Sequence, residues 1–426
     1  MLIPAPMASG PHLARSSSTS SASPSAAVIV SALDQLAYRL LCVFVCSLPW
    51  ADNFPVSGGI SLATLMGGLT IATLGLGFCG GRGMRKLTPM HGWMLAFASW
   101  ATFSLIWTLD WDGTLARVGT YLQVLILAWL IWELVPAQAR VQGLLVSYVF
   151  GALIASGVTV FNFFIGQTTA QLAAARGVIQ WETSRYSVAG LNENDLGLML
   201  ALSIPMALYL LASRRGTVLA ALCWMQLLAS MSAIWLTASR GALAAALTAW
   251  LMFPLVFRRL PAAKKVASMA TFLCLLGCAA YLIPATSWQR IFTFGTEISQ
   301  GTLTHRTVLW AAGLESFRDH PFVGVGAGAY GASILAIVDI PLVAHNTFLS
   351  VLVELGVIGG LMLLGLLASA VYCVKHMRRL ERYMWSMLLL TWTVGVFALT
   401  WEYRKPTWLL LGLLAAHAYG RRTKAV

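Results

Sequence analysis

Charged residues are scarce in this chain. Only 10 % of its 426 residues are Asp, Glu, Lys or Arg, whereas a soluble globular domain has about 25 %. Hydrophobic residues make up 58 %, and the mean hydropathy is +0.77. With 17 Trp and 18 Phe, the chain also lacks the composition of a disordered or collagen-like protein. The composition excludes an ordinary soluble domain and indicates a polytopic membrane protein that forms one bundle.

Metal-binding cysteine patterns are also missing. The seven cysteines all lie inside apolar runs, and no CxxC motif occurs. Cys42 with Cys46 and Cys274 with Cys278 share a helical face, but no His or acidic residue stands nearby to complete a metal site. We therefore interpret the cysteines as small apolar side chains in lipid or core, and no metal site is predicted.

Apolar segments of membrane-spanning length follow a polar start. Residues 1–33 are small, polar and rich in serine, which predicts a disordered cytoplasmic tail. Residues 34–426 are expected to form a single transmembrane bundle with an all-α, polytopic fold. A span needs about 20 apolar residues, and about twelve helices are predicted, at 36–51, 59–79, 91–109, 116–135, 144–165, 191–212, 217–238, 241–257, 266–286, 346–374, 384–401 and 407–420.

The distribution of positive charge predicts the orientation, because cytoplasmic loops of membrane proteins are enriched in Lys and Arg. With the N-terminus inside, the inner side receives 19 of the 28 Lys and Arg and three acidic residues, a net charge of +16. The outer side receives nine basic and 12 acidic residues, a net charge of −3. Both termini are therefore expected in the cytoplasm, and the connectors 166–190 and 287–345 in the periplasm. The net charge of +13 is a topology signal, and no nucleic-acid partner is predicted.

Arg240 stands on the outer side between two apolar runs with almost no loop, in Thr237-Ala238-Ser239-Arg240-Gly241. An arginine at a membrane boundary must snorkel or find an anionic partner, because burying it alone costs at least about 2.5 kcal/mol. Arg240 is therefore either a topology anchor or a guanidinium that faces an anion in an outward cavity. The second interpretation is favoured because the other positive residues are mostly kept inside.

The long outer connector contains one helical pattern. Apolar side chains recur at helical spacing until Pro321 ends the pattern, at Leu309, Trp310, Leu314 and Phe317. This predicts an amphipathic helix that lies on the membrane surface or roofs a cavity. Arg306, near its start, would oppose the helix dipole, which favours a ligand-binding role for this side chain.

Two short motifs imitate nucleotide and metal sites. The segment 324–331 contains a literal GxGxxG, but no βαβ unit surrounds it. We interpret it as a flexible or closely packed loop. Asp110-Trp111-Asp112 imitates the DxD of metal-dependent glycosyltransferases, although Asp112 in this short turn is better explained as the cap of the next helix.

Polar residues also stand at or near the beginning of two predicted spans, those at 191–212 and 346–374. His345 lies at the end of the long connector, and an imidazole there suits either a general base or a helix cap. Glu354, a carboxylate in an apolar helix, needs a partner or a function. The run from Ser184 to Asp195, which includes Arg185, is polar enough to line a wet cavity.

Together these pieces resemble the O-antigen ligase/polymerase family of bacterial envelope membrane proteins. The matching pieces cover roughly 185–360 and are Arg185…Gly190…Asn192-x-Asn194, Ser239-Arg240-Gly241, Arg306-x-x-x-Trp310…Pro321…Gly324-x-Gly326 and His345-Asn346-x-x-Leu349…Glu354-x-Gly356-x-x-Gly359. The flanking helices resemble the family only in hydropathy. The position of His345 at the end of a large periplasmic loop is most similar to the ligases.

The resemblance implies a GT-C type, inverting glycosyltransferase of the bacterial inner membrane that needs no metal, nucleotide sugar or other cofactor. Its partners would be undecaprenyl-diphosphate-linked O-antigen as donor, lipid A-core as acceptor, and membrane lipids. His345 would be the general base, and Arg240 and Arg306 would stabilise the diphosphate as catalytic residues. Substrate binding would involve Arg185, Tyr186, Asn192, Asn194 and Glu354.

Two alternatives stay open from the sequence. Within the family, the chain could instead be an O-antigen polymerase or a protein O-oligosaccharyltransferase. The alternative from another class is a transporter, such as a lipid-linked oligosaccharide flippase or an anion carrier. Transporters usually show repeat symmetry and broken helices at mid-membrane depth. No internal repeat is found by eye, and the polar candidates cluster at one predicted face, which favours chemistry there.

Overall fold

The computed structural model describes residues 24–50, 55–57, 60–174, 185–188, 191–213, 216–254, 306–339 and 342–420, together with scattered residues between 258 and 288. The predicted tail as far as residue 23, most of the predicted span 266–286 and the first part of the long connector lie outside the described residues.

Helices make up nearly all of the regular structure in the described ranges. In chain order the elements are α1 (Pro24–Ser47), the short antiparallel strands β1 (Pro55–Ser57) and β2 (Ile60–Ser61), α2 (Leu62–Cys79), α3 (Pro89–Phe103) with a 3₁₀ turn (Ser104–Ile106), α4 (Trp111–Leu134), α5 (Gln138–Phe164), α6 (Thr169–Ala174), α7 (Glu193–Ser213), α8 (Thr217–Leu236), α9 (Arg240–Trp250), α10 (Arg306–Asp319), α11 (Tyr330–Val338), α12 (Thr347–Lys375), α13 (Arg379–Val396) and α14 (Lys405–Tyr419).

Seven of the described helices are long and apolar enough to cross a membrane, namely α1, α2, α4, α5, α7, α8 and α12. This confirms the prediction of a helical, multi-pass membrane protein, while the predicted number of about twelve spans stays a prediction. Helices α3, α9, α13 and α14 also coincide with predicted spans, but α3 and α14 have only 15 residues and α9 has 11.

The first predicted span, at 36–51, begins too late. Helix α1 starts at Pro24 and so includes residues that the sequence analysis assigned to the polar tail. The charged Asp34 does not end the helix, because its carboxylate is paired with Arg82 at 3.1 Å and with Arg140 at 2.6 Å. A paired charge of this kind looks like a helix boundary in the sequence until its partners from other parts of the chain are known.

Helix α7 is the central element of the bundle. Its side chains are buried almost continuously from Asp195 to Leu210, and it packs against α5, α8, α9 and α13. The beginning of this helix is therefore held inside the protein on several sides. Acidic and amide residues in its first turn, which would be solvated at an ordinary helix end, consequently face other elements of the fold.

Helix α12 is broken at Gly356, which has φ +67° and ψ −169°. A loop of residues 321–328, here called the glycine loop, fills the break: the amides of Val325 and Gly326 donate to the carbonyls of residues 353 and 354 at 3.0 and 2.9 Å. The amide of Val357 donates in turn to the carbonyl of Pro321 at 2.8 Å. These bonds satisfy backbone groups that a broken helix would otherwise leave unpaired inside the protein.

The glycine loop confirms the closely packed interpretation of the GxGxxG motif. Gly324, Gly326 and Gly328 have φ of +73°, +110° and +80°, a region that side-chain-bearing residues rarely adopt. A Cβ at Gly324 would overlap the backbone of Glu354, and one at Gly326 would overlap Thr108. Glycine is therefore required here for close backbone approach and positive φ.

A polar network lies at one end of the bundle, opposite to the end at which α7 and α12 begin. Arg82 binds the carboxylate of Glu133 at 2.8 Å in addition to Asp34, and Gln138 donates to Glu381 at 2.9 Å. The charge distribution counts Asp34, Glu133 and Glu381 as the three acidic residues of the predicted cytoplasmic side, and Arg82 among its basic residues. Their meeting at one end agrees with the predicted alternation of the helices.

Candidate functional site

The candidate site lies at one end of the bundle, here called the site end, where α5, α8 and α13 finish and α4, α7, α9, α12 and α14 begin. Three contacts join these helix ends. Thr347 donates to the carbonyl of Leu399 at 2.8 Å and accepts the amide of Trp401 at 2.8 Å. Asn162 of α5 donates to the carbonyl of Ser187 at 2.9 Å. The predicted polar run before α7 is thus attached to the same end as His345.

Arg306 and His345 are brought together by helix α10. Trp310, one turn after Arg306, donates from its indole Nε1 to the carbonyl of Ala344 at 2.8 Å, directly before His345. Residues four apart share a helix face, so Arg306 lies on the face of α10 that meets this segment, and its charge acts on His345. Tyr330 of α11 secures the helix from its other side by donating to the carbonyl of Leu309 at 2.8 Å.

The backbone at His345 is strained, with φ +47°. A non-glycine residue in such a conformation costs about 1–3 kcal/mol and persists only where its surroundings enforce it. Here the surroundings are the Trp310 bond on one side and, on the other, Asn346, which caps α12 by accepting the amides of Phe348 and Leu349 at 3.0 and 3.1 Å. The bonds on both sides hold the backbone of His345 in this conformation directly before the start of α12.

The electrostatic surroundings of His345 favour the neutral imidazole. Burial lowers the pKa of His345 below its ordinary value, and the positive charge of Arg306 lowers it further. The carboxylate of Asp195 acts in the opposite direction and raises the pKa. A neutral imidazole can accept a proton at neutral pH, which is the property that a general base needs.

Arg185 is almost completely buried and holds two elements of the site end. Its Nε donates to the carbonyl of Thr237 at 2.7 Å, and its Nη2 donates to Oδ1 of Asn194 at 2.9 Å. Its Nη1 lies 3.5 Å from the carboxylate of Glu193. The guanidinium thereby connects the first turn of α7 with the turn between α8 and α9.

Arg240 is the first residue of α9 and follows that same turn. Ala238 has φ +47°, and the Ser239 hydroxyl caps α9 by accepting the amide of Ala242 at 3.3 Å. Gly241 packs closely against Ala398, since a Cβ there would lie 2.9 Å from the Ala398 methyl group. These contacts set Arg240 between the turn held by Arg185 and the connector 397–404 that joins α13 to α14.

The remaining predicted binding residues lie around the start of α7 in different environments. Asn192 is exposed and accepts the amide of Asn194 at 2.9 Å, which makes it a cap of the helix. Asn194 holds Arg185, as described above. Tyr186 is half-buried and packs edge-on against Phe163, with ring centroids 5.3 Å apart.

Sequence reasoning placed Asp195 at the end of the polar run before α7 but gave it no role of its own in the site. Its carboxylate accepts the Trp401 indole at 2.7 Å and pairs with Arg404 at 3.0 Å, and it influences His345 electrostatically. The signal was present in the sequence, because an acidic residue among the apolar residues of a span needs a partner. The partners, however, are more than 200 positions away, and only the fold brings them together.

A second cluster that sequence reasoning missed surrounds Arg117. Its Nη1 lies 3.1 Å from Oε1 of Glu402 and 3.8 Å from Oε2 of Glu354, and its guanidinium carbon lies 3.5 Å from the ring centroid of Tyr403. The pKa of Glu402 is raised to about 7, because burial and the charge of Glu354 raise it by more than Arg117 lowers it.

The carboxylate of Glu354 is occupied by the protein itself. Besides Arg117, it accepts the amide of Gly328 at 2.6 Å and the hydroxyl of Ser350 at 3.1 Å, and the residue is buried. These bonds attach the glycine loop to α12. Glu354 therefore has the partner for its charge that its position in an apolar helix requires. Its role in the structure is to hold the glycine loop beside the site.

Asp110, and not Asp112, caps helix α4. The Asp110 carboxylate accepts the amide of Gly113 at 2.9 Å, while Asp112 lies in the first turn. The expectation for Asp112 was therefore wrong by two positions, because the helix begins at Trp111. Among the described residues, no group of three or more His, Cys, Asp or Glu side chains could hold a metal ion.

The chain was compared with models of known protein families. A family model described as O-antigen ligase matches residues 196–364. The matched segment contains Arg240, Arg306, His345 and Glu354, and it begins directly after Asp195. None of the curated proteins compared with the chain matches it.

Proposed function

Because residues 196–364 belong to the O-antigen ligase family, we propose that this membrane protein is an O-antigen ligase. Members of this family are glycosyltransferase-like ligases and polymerases that act on lipid-linked polysaccharides. In our proposal the donor is O-antigen on undecaprenyl diphosphate, and the acceptor is a sugar hydroxyl of lipid A-core. The product is complete lipopolysaccharide, and the released carrier is undecaprenyl diphosphate.

The observation that carries the proposal is the placement of Arg306 near His345, since Trp310, one turn after Arg306, is bonded to the residue before His345. A guanidinium whose charge lowers the pKa of a half-buried imidazole supplies, together with that imidazole, the two groups that glycosyl transfer from a lipid diphosphate requires. One group must accept the proton of the attacking hydroxyl, and the other must stabilise the departing phosphate.

In the proposed reaction, the acceptor hydroxyl attacks the anomeric carbon from the face opposite the diphosphate. A new C–O bond forms while the bond from the anomeric carbon to the phosphate oxygen breaks, so the configuration inverts. His345 takes the hydroxyl proton, and the electron pair of the broken bond remains on the diphosphate. Arg240 and Arg306 stabilise that charge through two-pronged hydrogen bonds without a metal.

We assign the other predicted residues to supporting roles. Arg185 and Asn194 hold the turn that carries Arg240, so Arg185 acts through the position of Arg240 as well as through its charge. The exposed Asn192 and the half-buried Tyr186 are proposed to contact the glycan. Glu354 supports the site from its framework by holding the glycine loop.

The location follows from the same proposal. We propose that the chain lies in the bacterial inner membrane with both termini in the cytoplasm, so that the site end faces the periplasm. The GT-C type architecture and independence from metal belong to the proposal as well. Reaction in the presence of EDTA tests the metal independence directly.

The experiment that tests the function uses purified protein in detergent with a lipid-diphosphate-linked O-antigen donor, alone and with lipid A-core. A ligase extends the core lipid only when both substrates are present. Elongation of the donor alone would identify a polymerase instead. Absence of any transfer, together with movement of the donor across vesicle membranes, would identify a flippase and overturn the proposal.

A further inference from the structure

Arg117 lies between the two parts of the site end. One part is the connector 397–404, whose Trp401 and Arg404 bind Asp195. The other part is the glycine loop, which follows helix α10, the carrier of Arg306, and fills the break in helix α12. Helix α12 begins two residues after His345. The sequence gives no reason to expect that Arg117 connects these parts. It is one of the nine basic residues predicted on the outer side, and it lies in no motif of its own.

The Nη1 atom of Arg117 lies within ion-pair distance of a carboxylate from each of the two parts. Glu402 at 3.1 Å and the Tyr403 ring at 3.5 Å belong to the connector. Glu354 at 3.8 Å belongs to α12, and its carboxylate holds the amide of Gly328 at 2.6 Å. The side chains of Arg117, Glu354 and Glu402 are 13 %, 4 % and 1 % exposed, so this contact is shielded from screening by water and salt.

We infer that Arg117 is a positioning residue for the transfer reaction, which fixes the Asp195 side of the site relative to the Arg306 and His345 side. The inference rests on the proposed function and extends it to a residue outside the matched segment. Arg117 touches no reacting atom in this account. It positions the connector by pairing with Glu402, and it positions the glycine loop by pairing with Glu354 of α12, which binds that loop.

The arrangement has a specific chemical requirement for arginine. One guanidinium must pair with a carboxylate on each of two elements while its plane lies against an aromatic ring. Lysine supplies a single compact charge and has no plane to stack. Methionine fills similar space without charge and would leave two buried carboxylates facing each other, which is costly.

The test compares Arg117→Met and Arg117→Lys with Arg140→Met. Arg140 is a matched control, because it also pairs with a carboxylate between helices, Asp34 at 2.6 Å, but at the opposite end of the bundle. Transfer kinetics are measured below the unfolding temperature of each variant. Hydrogen exchange of peptides covering 324–328 and 401–404 is measured in the same samples.

We expect Arg117→Met to lower kcat by about 100-fold, the size of effect that a small misplacement in a site produces, with little change in KM for the donor. Arg117→Lys should recover part of kcat. Exchange should rise in both peptides for Arg117→Met and in neither for Arg140→Met, which should keep its kcat even if its Tm falls.

Unchanged exchange in both peptides of Arg117→Met would overturn the inference whatever the protein catalyses. Equal loss of kcat in Arg117→Met and Arg140→Met, in proportion to their loss of Tm, would reduce Arg117 to a general stabilising role and would also overturn it. Failure of the proposed function is seen separately, as absence of transfer by the unsubstituted protein.

Discussion

The indole Nε1 of Trp401 donates a hydrogen bond of 2.7 Å to the carboxylate of Asp195, and both side chains are buried. This bond connects the start of α7 to the connector before α14. Since Asp195 also acts electrostatically on His345, the bond fixes a charge beside the proposed general base. Trp401 therefore contributes to the site although it touches none of the proposed substrate groups.

Replacing Trp401 by Phe should lower turnover by severalfold, because Asp195 loses a donor while the aromatic packing is kept. Trp385→Phe is the matched control, since it removes an indole hydrogen bond of 2.9 Å to His417 at the opposite end. Each substitution should cost about 1 kcal/mol of stability. Only Trp401→Phe should change kcat in the transfer assay, and a similar kcat for both variants would argue against a role for the Asp195 bond.

Arg240→Ala and Arg306→Ala should each abolish measurable transfer while the protein still inserts and folds. Loss of one preorganised charged donor costs about 3–4 kcal/mol in a transition state. The lysine variants should retain partial activity, because they keep the charge and lose the two-pronged geometry. Arg318→Ala, an exposed change on the same helix as Arg306, should be active. Near-normal product from a well-expressed Arg306→Ala protein would remove Arg306 from the mechanism.

The pH dependence follows from the lowered pKa of His345. A general base works when unprotonated, so kcat/KM should rise with pH and reach half its plateau below about 6.5, the ordinary histidine value. The Asp195 carboxylate raises the pKa of His345, so Asp195→Asn should move this midpoint to still lower pH. A midpoint that moves to higher pH in Asp195→Asn would contradict the assignment of His345 as the titrating base.

The break in α12 should be intolerant of any side chain at Gly356. Its positive φ and its contact with the carbonyl of Phe322 mean that Gly356→Ala combines about 1–2 kcal/mol of backbone strain with steric overlap. Gly157→Ala in α5 is the control, because a Cβ there meets nothing within 4 Å and should stabilise the helix slightly. Thermal unfolding in detergent should show a lower Tm for Gly356→Ala only. Equal Tm values would mean that the glycine loop is not docked as described.

Much of the fold follows from hydropathy alone. Long apolar runs define helices because a span in lipid must satisfy its own backbone groups. The ends of α7, α8 and α12 were predicted to within about two residues, and those of α4 and α5 to within about six. Hydropathy could not predict the start of α1, where Asp34 is neutralised by Arg82 and Arg140. It also could not reveal that α12 is broken, because the backbone groups at Gly356 are satisfied by a loop from elsewhere in the sequence.

Sequence reasoning could single out members of the proposed site only where the neighbours of a residue in the chain make it unusual. Arg306 stands out because it is a positive charge near the start of an amphipathic helix pattern. His345 stands out because it is a polar residue directly before an apolar span. Asp195, Arg117 and Glu402 depend on partners far away in the sequence, and each looks like an ordinary boundary charge until those partners meet. The contact through Trp310 that joins Arg306 to His345 likewise exists only in the folded chain.

The most direct test of the account is transfer by His345→Ala compared with His376→Ala. His376 ends helix α12 at the opposite end and is exposed, so both proteins lose one imidazole. With lipid-diphosphate-linked O-antigen and lipid A-core, the account predicts modified core lipid from His376→Ala and none from His345→Ala, with equal amounts of folded protein. Near-normal product from folded His345→Ala would contradict the account.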